Sequence, residues 1–233
     1  MVKLVVLIIL IMAAVLIFSQ RFNTNQLISP LILEEPVEQI QKLLPSPSPK
    51  VNLQTPPQSK VLPNNYHIFQ TFNNCGPAAL SMALSYFGIN VSQKQLGQDL
   101  RPYQISGGDN DDKSVTLEEL AEKSKEYELI PYHRPNGNIE LIKLFIIYDI
   151  PVIARTLTKP HEDIGHYRIV KGYDDNRGQI IQDDSLQNKN LWFNYDDFNT
   201  LWEKFNFEYL VLVPEDKKEI AEAILGQDLD PEN

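Results

Sequence analysis

The hydrophobic and polar positions of the chain predict helices in the first half of its body and strands in the second. Between Asn73 and Gly88 nearly every position is apolar or small, which is typical of a buried helix rather than an amphipathic one. Asn74 can cap this helix, Pro77 is tolerated only in a first turn, and Gly88 favours a stop. The pattern therefore predicts a buried helix that begins close to Cys75.

Capping residues placed before apolar periods predict the other helices. At Thr116 the pattern is clearest, because Glu119 follows three residues later and completes a capping box. Ser92 and Asn138 precede apolar periods in the same way. Helices are therefore expected over 93–100, from 116 to about 127, after 138 and within 194–205.

Runs of β-branched, apolar and aromatic residues predict the strands. These are expected at 65–69, 129–132, 150–157, 165–175, 179–184 and 207–214. Because most helices precede most strands and there is no βαβ repeat, the order predicts an α+β fold with an antiparallel sheet.

The amino terminus carries an unbroken apolar run of 15 residues, 4–18, behind Lys3. A membrane span needs about 20 residues, whereas this run is long for the core of a signal peptide. Bulky residues at 16–18 leave no small-residue cleavage pattern. We expect residues 1–21 to be a signal anchor that contacts the membrane, or alternatively a cleaved signal peptide. In both cases the domain lies outside the cytoplasm, anchored or secreted.

Domain boundaries follow from composition. Residues 22–60 are expected to be a linker, because 45–60 is rich in proline and serine and poor in large apolar groups. The folded domain is expected over 61–214, followed by an acidic tail at 215–233.

The net charge of −10 excludes one class of partner. Residues 1–60 contain five Lys/Arg and three Asp/Glu, so the negative charge belongs to the rest of the chain. An acidic body without a basic stripe argues against nucleic-acid binding. One cysteine cannot form an internal disulfide, and four histidines without ligand spacing predict no metal site.

An acidic segment suggests calcium at first sight, since it contains Asp109, Asp111 and Asp112. The calcium-loop pattern requires a glycine at its sixth position and a glutamate at its twelfth. Counted from Asp109, these positions hold Ser114 and Leu120, so the segment is interpreted as a solvated acidic loop.

The candidate chemistry starts from Cys75. Free N–H groups and the helix dipole at a helix N-terminus favour the thiolate, although a single buried cysteine is often inert. A nucleophilic thiol needs a base and a group that orients the base. His166 opens a strong β-forming run, and the next strand returns to Asp183 and Asp184. Successive strand residues face opposite ways, so only one of these carboxylates can face His166.

Three motifs and the closing Asp together resemble the papain-like cysteine peptidases of the bacteriocin-processing (double-glycine) peptidase family, and more closely its stand-alone relatives. The motifs are CGPAALSMALSYFG, PVIARTL and GHYRIVKGYDD. The resemblance covers about 61–214 and implies a papain-like cysteine peptidase fold, no cofactor, and a peptide or protein substrate. It implies Cys75 as nucleophile, His166 as general base and acid, Asp184 as orienter, and Gln70 as a side-chain donor to the oxyanion alongside the Cys75 N–H.

The chain departs from the family pattern at several positions. Gln70 lies five residues before Cys75 instead of six, and Ser185 follows Asp184 where the family usually has proline. Arg168 stands where the family favours an apolar residue, so we expect it to have a carboxylate partner or to be exposed at a cleft wall. The chain has no ATP-binding motif, so the exporter role of the best-known members does not carry over.

These features lead to one main hypothesis and two alternatives. The main hypothesis is an exported thiol hydrolase that cleaves peptide bonds through a Cys-His-Asp triad. One alternative is a catalytically idle papain-like module that binds peptides at the cell surface. The other is a relative that transfers the acyl group to an amine, which the sequence does not separate from hydrolysis because both use the same triad.

Overall fold

A single antiparallel sheet of seven strands organises residues 51–102 and 114–226, the part of the chain that the computed structural model describes. The strands are β1 (Ser59–Val61), β2 (Ile130–Arg134), β3 (Val152–Leu157), β4 (Gly165–Asp174), β5 (Gln179–Asp184), β6 (Leu191–Asn194) and β7 (Tyr209–Val213). Their order is β2-β7-β3-β4-β5-β6. β1 pairs with the last residues of the long strand β4, beyond the point where β3 ends.

The helices divide between the two faces of this sheet. They are α1 (Cys75–Ser85), α2 (Gln93–Leu100), α3 (Leu117–Ser124), α4 (Ile139–Ile147), α5 (Tyr195–Trp202) and α6 (Lys218–Leu225). Because strand side chains alternate, Ile153 packs with α1–α3 while its neighbour Val152 packs with α4–α6. The fold is thus α+β, as predicted.

Helix α1 is buried along almost its whole length, as its uniform apolar pattern predicts. Leu80, Met82 and Leu84 are fully buried, and each such side chain contributes about 1.5–3 kcal/mol relative to exposure. Near its start, a Cβ on Gly76 would lie 3.5 Å from the ring of Tyr167 on β4. The same Cβ would lie only 3.2 Å from the Cβ of Val115, so the absent side chain lets the first turn of α1 approach Val115 closely.

The predicted caps are mostly confirmed. Ser92 accepts from the Gln95 N–H, Asn138 accepts from the Leu141 N–H, and Thr116 with Glu119 forms the full capping box. Asn74 occupies the N-cap position of α1, but its side chain makes no capping hydrogen bond. Its Oδ1 accepts instead from Arg101 Nη1 at 3.1 Å.

Both predicted ends of the domain are corrected. Residues 51–60, assigned to the linker, belong to the domain: the Gln54 N–H donates to Tyr148 Oη at 2.8 Å, and β1 begins at Ser59. The strand expected at 65–69 is wrong, because these residues form a loop that runs toward the site. At the other end α6 buries Ala221 in the core, so the domain continues past 214.

Several predictions fall on residues outside this description. They are the signal anchor at 1–21, the linker up to residue 50, the acidic segment at 109–112 and the end of the tail at 227–233. Among the described helices, none has the length and apolar character needed to cross a membrane.

Candidate active site

His166 and Asp184 meet where β4 begins and β5 ends. The register pairs Arg168 with Asp184, and His166 Nε2 lies 2.7 Å from Asp184 Oδ1. Both side chains are buried, with 1% and 0% exposure. The same oxygen accepts from the N–H groups of Leu186, at 2.7 Å, and Gln187, at 3.2 Å. The carboxylate is therefore fixed against one nitrogen of the imidazole.

Asp184 remains in its charged form at this buried position. Burial acts to raise its pKa, but the hydrogen bond from His166 and the charges of His166 and Arg168 outweigh this effect. The pKa of Asp184 is therefore lowered from its ordinary value.

Asp183 faces the other side of the sheet and has a different partner. Lys171 Nζ lies 2.8 Å from Asp183 Oδ1, and both side chains are 1% exposed. The same carboxylate oxygen accepts from the Asn190 N–H at 2.8 Å. The geometry thus places Asp184, rather than Asp183, against His166.

Arg168 is completely buried beside the pair, and its expected carboxylate partner is confirmed. Its Nε lies 3.1 Å from Asp184 Oδ2. The guanidinium also donates to the Leu157 carbonyl at 2.7 Å, the Thr158 carbonyl at 2.9 Å and the Thr156 hydroxyl. Nε and Oδ2 form no aligned hydrogen bond within the described residues, so charge attraction holds them together.

Cys75 begins α1, with 8% exposure, and its thiol lies beside the backbone N–H of Tyr167, the residue after His166 on β4. Burial raises the pKa of the thiol. The N–H groups of Gly76, Cys75 and Tyr167 and the charge of Arg101 act against burial without outweighing it. The N–H groups at the start of α1 thus favour the thiolate as expected, but burial of the thiol has the larger effect.

Gln70 lies in the loop before α1, next to the end of β5. Its N–H donates to the Ser185 carbonyl at 2.9 Å, and its Oε1 accepts from the Ser185 hydroxyl at 2.8 Å. His67, in the same loop, places Nε2 2.9 Å from the Asp184 carbonyl oxygen. The four predicted site residues are thus gathered at one end of the sheet: His166 touches Asp184, Cys75 borders β4, and Gln70 is tied to the residue after Asp184.

A comparison with protein-family models identifies the family of this chain. The model of the Peptidase_C39 like family matches residues 53–210, which is more than half of the chain. The chain belongs to this family. It is therefore a cysteine peptidase by family, and the similarity to stand-alone bacteriocin-processing peptidases inferred from the motifs is confirmed.

Solved structures share the papain-like fold of this C39-like chain. A protein described as a C39-like peptidase from Bacillus anthracis is 17% identical with a TM-score of 0.54, covering 68% of this chain and 99% of its own. The peptidase domain of Streptococcus ComA, a bifunctional ABC transporter, is 20% identical with a TM-score of 0.49, covering 64% and 97%. Xylellain, a cysteine protease from Xylella fastidiosa, is 11% identical with a TM-score of 0.49, covering 71% and 91%. No curated protein matches the chain.

Sequence reasoning missed Arg101, which supports the C39-like nucleophile segment. Arg101 is 2% exposed, and its Nη1 donates to Asn74 Oδ1 and, at 3.3 Å, to the Phe72 carbonyl. It therefore fastens the turn that precedes Cys75, where Asn73 has a positive φ of 52°. An arginine just after a polar helix carries no sequence signal of burial, so only the folded structure reveals it.

Several exposed apolar residues are close in the sequence to the predicted site residues. Large hydrophobic residues that remain exposed include four that lie within three positions of the predicted site residues: Phe69, Phe72, Ile164 and Leu186. We call these four residues the apolar rim. An exposed apolar patch beside a reactive group is typical of a binding surface for another molecule.

Proposed function

We propose that this C39-like peptidase is a thiol hydrolase that cleaves peptide bonds through Cys75, His166 and Asp184. The observation that carries the proposal is the buried 2.7 Å pairing of His166 Nε2 with Asp184 Oδ1, next to the strand residue that borders the thiol. A papain-like thiol enzyme needs such a pair, because the carboxylate fixes the tautomer and the ring orientation of the base.

The first half-reaction forms a thioester. Since Asp184 holds Nε2, His166 Nδ1 is the nitrogen that receives the proton of Cys75. The thiolate bonds to the peptide carbonyl carbon, and the carbonyl π electrons move onto the oxygen. The Cys75 N–H and Gln70 Nε2 donate to this oxyanion. When the oxyanion collapses, the C–N bond breaks and the imidazolium gives its proton to the departing amine.

The second half-reaction returns the enzyme to its starting state. His166 Nδ1 takes a proton from a water molecule, and the water oxygen bonds to the thioester carbon. The C–S bond then breaks, the sulfur recovers the proton, and a carboxylic acid is released. Every step uses groups of this chain and water.

The raised pKa of Cys75 makes the charge of His166 essential to the proposal. A buried thiol does not ionise by itself near neutral pH, so the thiolate must form together with an imidazolium. Asp184, which stays charged because its pKa is lowered, stabilises that imidazolium. The ion pair is therefore supported from the carboxylate side, in addition to the N–H groups that lie beside the thiol.

The apolar rim supports a peptide or protein substrate with large apolar side chains near the cleaved bond. Phe69 and Phe72 flank the Gln70 loop, whereas Ile164 and Leu186 flank His166 and Asp184. The apolar run at 4–18 supports a site of action outside the cytoplasm, either anchored to the membrane or secreted.

A specific observation favours one alternative. Because burial raises the pKa of the Cys75 thiol, the same structure suits an idle papain-like module that binds peptides without cleaving them. The intact His166–Asp184 pair argues for catalysis, since a binding module has no need of it.

Digestion of a peptide library tests the proposal. The wild-type domain should cleave a subset of peptides enriched in apolar residues, and Cys75→Ala should cleave none. His166→Ala should reduce cleavage to near that of Cys75→Ala. A wild-type protein that binds library peptides and leaves them intact would establish the idle module instead.

A further inference from the structure

Hydrogen bonds hold the backbone of the two residues next to Gln70, and others hold the backbone N–H and the side-chain amide of Gln70 itself. Gln93, at the start of α2, donates from Nε2 to the Phe69 carbonyl at 2.7 Å and accepts from the Thr71 N–H at 2.9 Å. Ser185 accepts from the Gln70 N–H through its carbonyl and donates from its hydroxyl to Gln70 Oε1. The side chain of Gln93 thus fixes the two neighbours of Gln70, and Ser185 fixes Gln70 itself.

In the structure the Ser185 hydroxyl donates to Oε1, which gives the Gln70 amide one orientation. A glutamine amide carries an acceptor oxygen and an NH2 group with two donors, and the two ends point in different directions. With Oε1 against Ser185, the NH2 group faces away from Ser185. Within residues 51–102 and 114–226 no protein group accepts from Gln70 Nε2, so its donors are available.

The burial of Ser185 protects its hydrogen bond to Gln70. Ser185 is 1% exposed, so water does not compete for its hydroxyl at the surface. It also follows Asp184 directly, and Asp184 holds His166. Two consecutive residues at the end of β5 therefore contact the predicted base and the predicted oxyanion donor.

We propose that Ser185 is a positioning residue that turns the Gln70 amide toward the oxyanion, while Gln93 fixes the backbone on either side of Gln70. This inference rests on the proposed function, since Gln70 acts only if Cys75 forms an acyl-enzyme. Without the hydroxyl, the amide is free to rotate and to present Oε1, which repels an oxyanion. Ser185 thus acts on rate through Gln70 and not on the thiol itself.

Two reactions of the Cys75 thiol distinguish an effect on the oxyanion from an effect on the thiol itself. Acetylation by p-nitrophenyl acetate forms an S–C bond through a tetrahedral oxyanion, and p-nitrophenolate leaves with the bonding electron pair. Alkylation by iodoacetamide forms an S–C bond while iodide leaves, and no oxyanion arises. The ratio of the two second-order rate constants therefore reports oxyanion stabilisation, independent of how much thiolate is present.

The variants are Ser185→Ala, Gln70→Ala and the double variant. Removing an oxyanion donor costs about 10²–10³-fold, so Gln70→Ala should slow acetylation by about 100-fold and leave alkylation unchanged. Ser185→Ala, which only loosens the donor, should slow acetylation by about 10-fold. The double variant should be no slower than Gln70→Ala, because Ser185 acts through Gln70.

A matched control is Ser124→Ala on α3. Ser124 is also fully buried with a hydrogen-bonded hydroxyl, donating to the Ala121 carbonyl at 2.7 Å. It should change neither rate constant. If Ser185→Ala fails to fold, Gln93→Ala supplies the test from a less buried position, with acetylation slowed by about threefold and alkylation unchanged.

Two outcomes would overturn the inference. Ser185 would have a purely structural role if Ser185→Ala slowed acetylation and alkylation equally. The same holds for Gln93→Ala where that variant replaces it. A purely structural role would also follow if Ser185→Ala slowed acetylation as much in the Gln70→Ala background as in the wild type. Unchanged acetylation in Gln70→Ala would remove Gln70 as a donor, and the inference with it, while leaving the thiol hydrolase intact. A failure of the proposed function looks different, because the wild type would then release p-nitrophenolate no faster than Cys75→Ala.

Discussion

Asp183 and Asp184 are adjacent in the chain, yet they belong to two buried charge clusters on opposite faces of the sheet. On one face Asp183 meets Lys171, with Nζ–O distances of 2.8 Å to both carboxylate oxygens. On the other, Asp184 meets Arg168 and His166. The two clusters have similar burial and the same type of acid, but only the second includes an imidazole.

The difference shows how two adjacent residues of the same type come to have different partners. Lys171 also donates to the Asn64 carbonyl at 3.2 Å, and Asp183 accepts from Asn190, so this cluster is closed among permanent partners. Asp184 instead contacts two different groups, the guanidinium of Arg168 and the imidazole of His166. Burying either pair costs desolvation free energy, and only in the second does the carboxylate also contact an imidazole.

The largest effect is expected from Asp184→Asn. His166 would lose the carboxylate charge that stabilises its imidazolium, so peptide cleavage should fall by about 10³–10⁴-fold. Steady-state cleavage of a peptide from the library measures this, with thermal unfolding as the check on folding. Cleavage within a few-fold of wild type would mean that Asp184 has no catalytic task.

Asp183→Asn should show the opposite signature. It would leave the Lys171 ammonium buried without its carboxylate, which typically costs about 3–5 kcal/mol of unfolding free energy. Cleavage per folded molecule should stay near wild type. Denaturant unfolding measures the loss, and Lys171→Met with Asp183→Leu is the control that removes both charges and should recover most of it. A loss of cleavage at full stability would put Asp183 into the catalytic site.

The smallest effect is expected in the acid dependence of stability. The pKa of Asp184 is lowered by folding, so its contribution is fully present above its ordinary pKa of 3.8 and is lost as pH falls toward the lower folded value. Wild type should therefore lose stability below about pH 4 more steeply than Asp184→Asn. Urea unfolding between pH 3 and 6 compares the two. Parallel curves would show that Asp184 gains no charge stabilisation from folding.

The sequence predicts most of the fold because its signals are local. The capping residues at 92, 116 and 138 and the strand at 179–184 all agree with the structure, because caps and β-branched runs act within a few residues. β1 was missed, since Ser59 and Lys60 are polar and gain their structure only by pairing with Tyr173 and Asp174 far along the chain. β6 was also missed, and α6 falls in the segment that was assigned to the acidic tail.

The contact of a strand-end carboxylate with His166 was predictable, but the energetics of the candidate site were not. The need of Arg168 for a carboxylate follows from the cost of burying an unpaired charge, and the structure supplies Asp184. The raised pKa of Cys75 was not predictable, because burial depends on how the sheet and helices close around the thiol. The two departures from the family pattern, Gln70 and Ser185, turn out to hydrogen-bond each other, a link between residues 115 positions apart.

The account depends most directly on an ion pair between Cys75 and His166. Alkylation of Cys75 by iodoacetamide, followed across pH in wild type and His166→Ala, measures it. The account predicts rapid alkylation of wild type well below about pH 8.5, the value of an unperturbed thiol, despite the burial that raises the pKa. His166→Ala should lose this low-pH reactivity. A wild-type thiol that reacts only above that value, with the same pH profile in His166→Ala, would contradict the account.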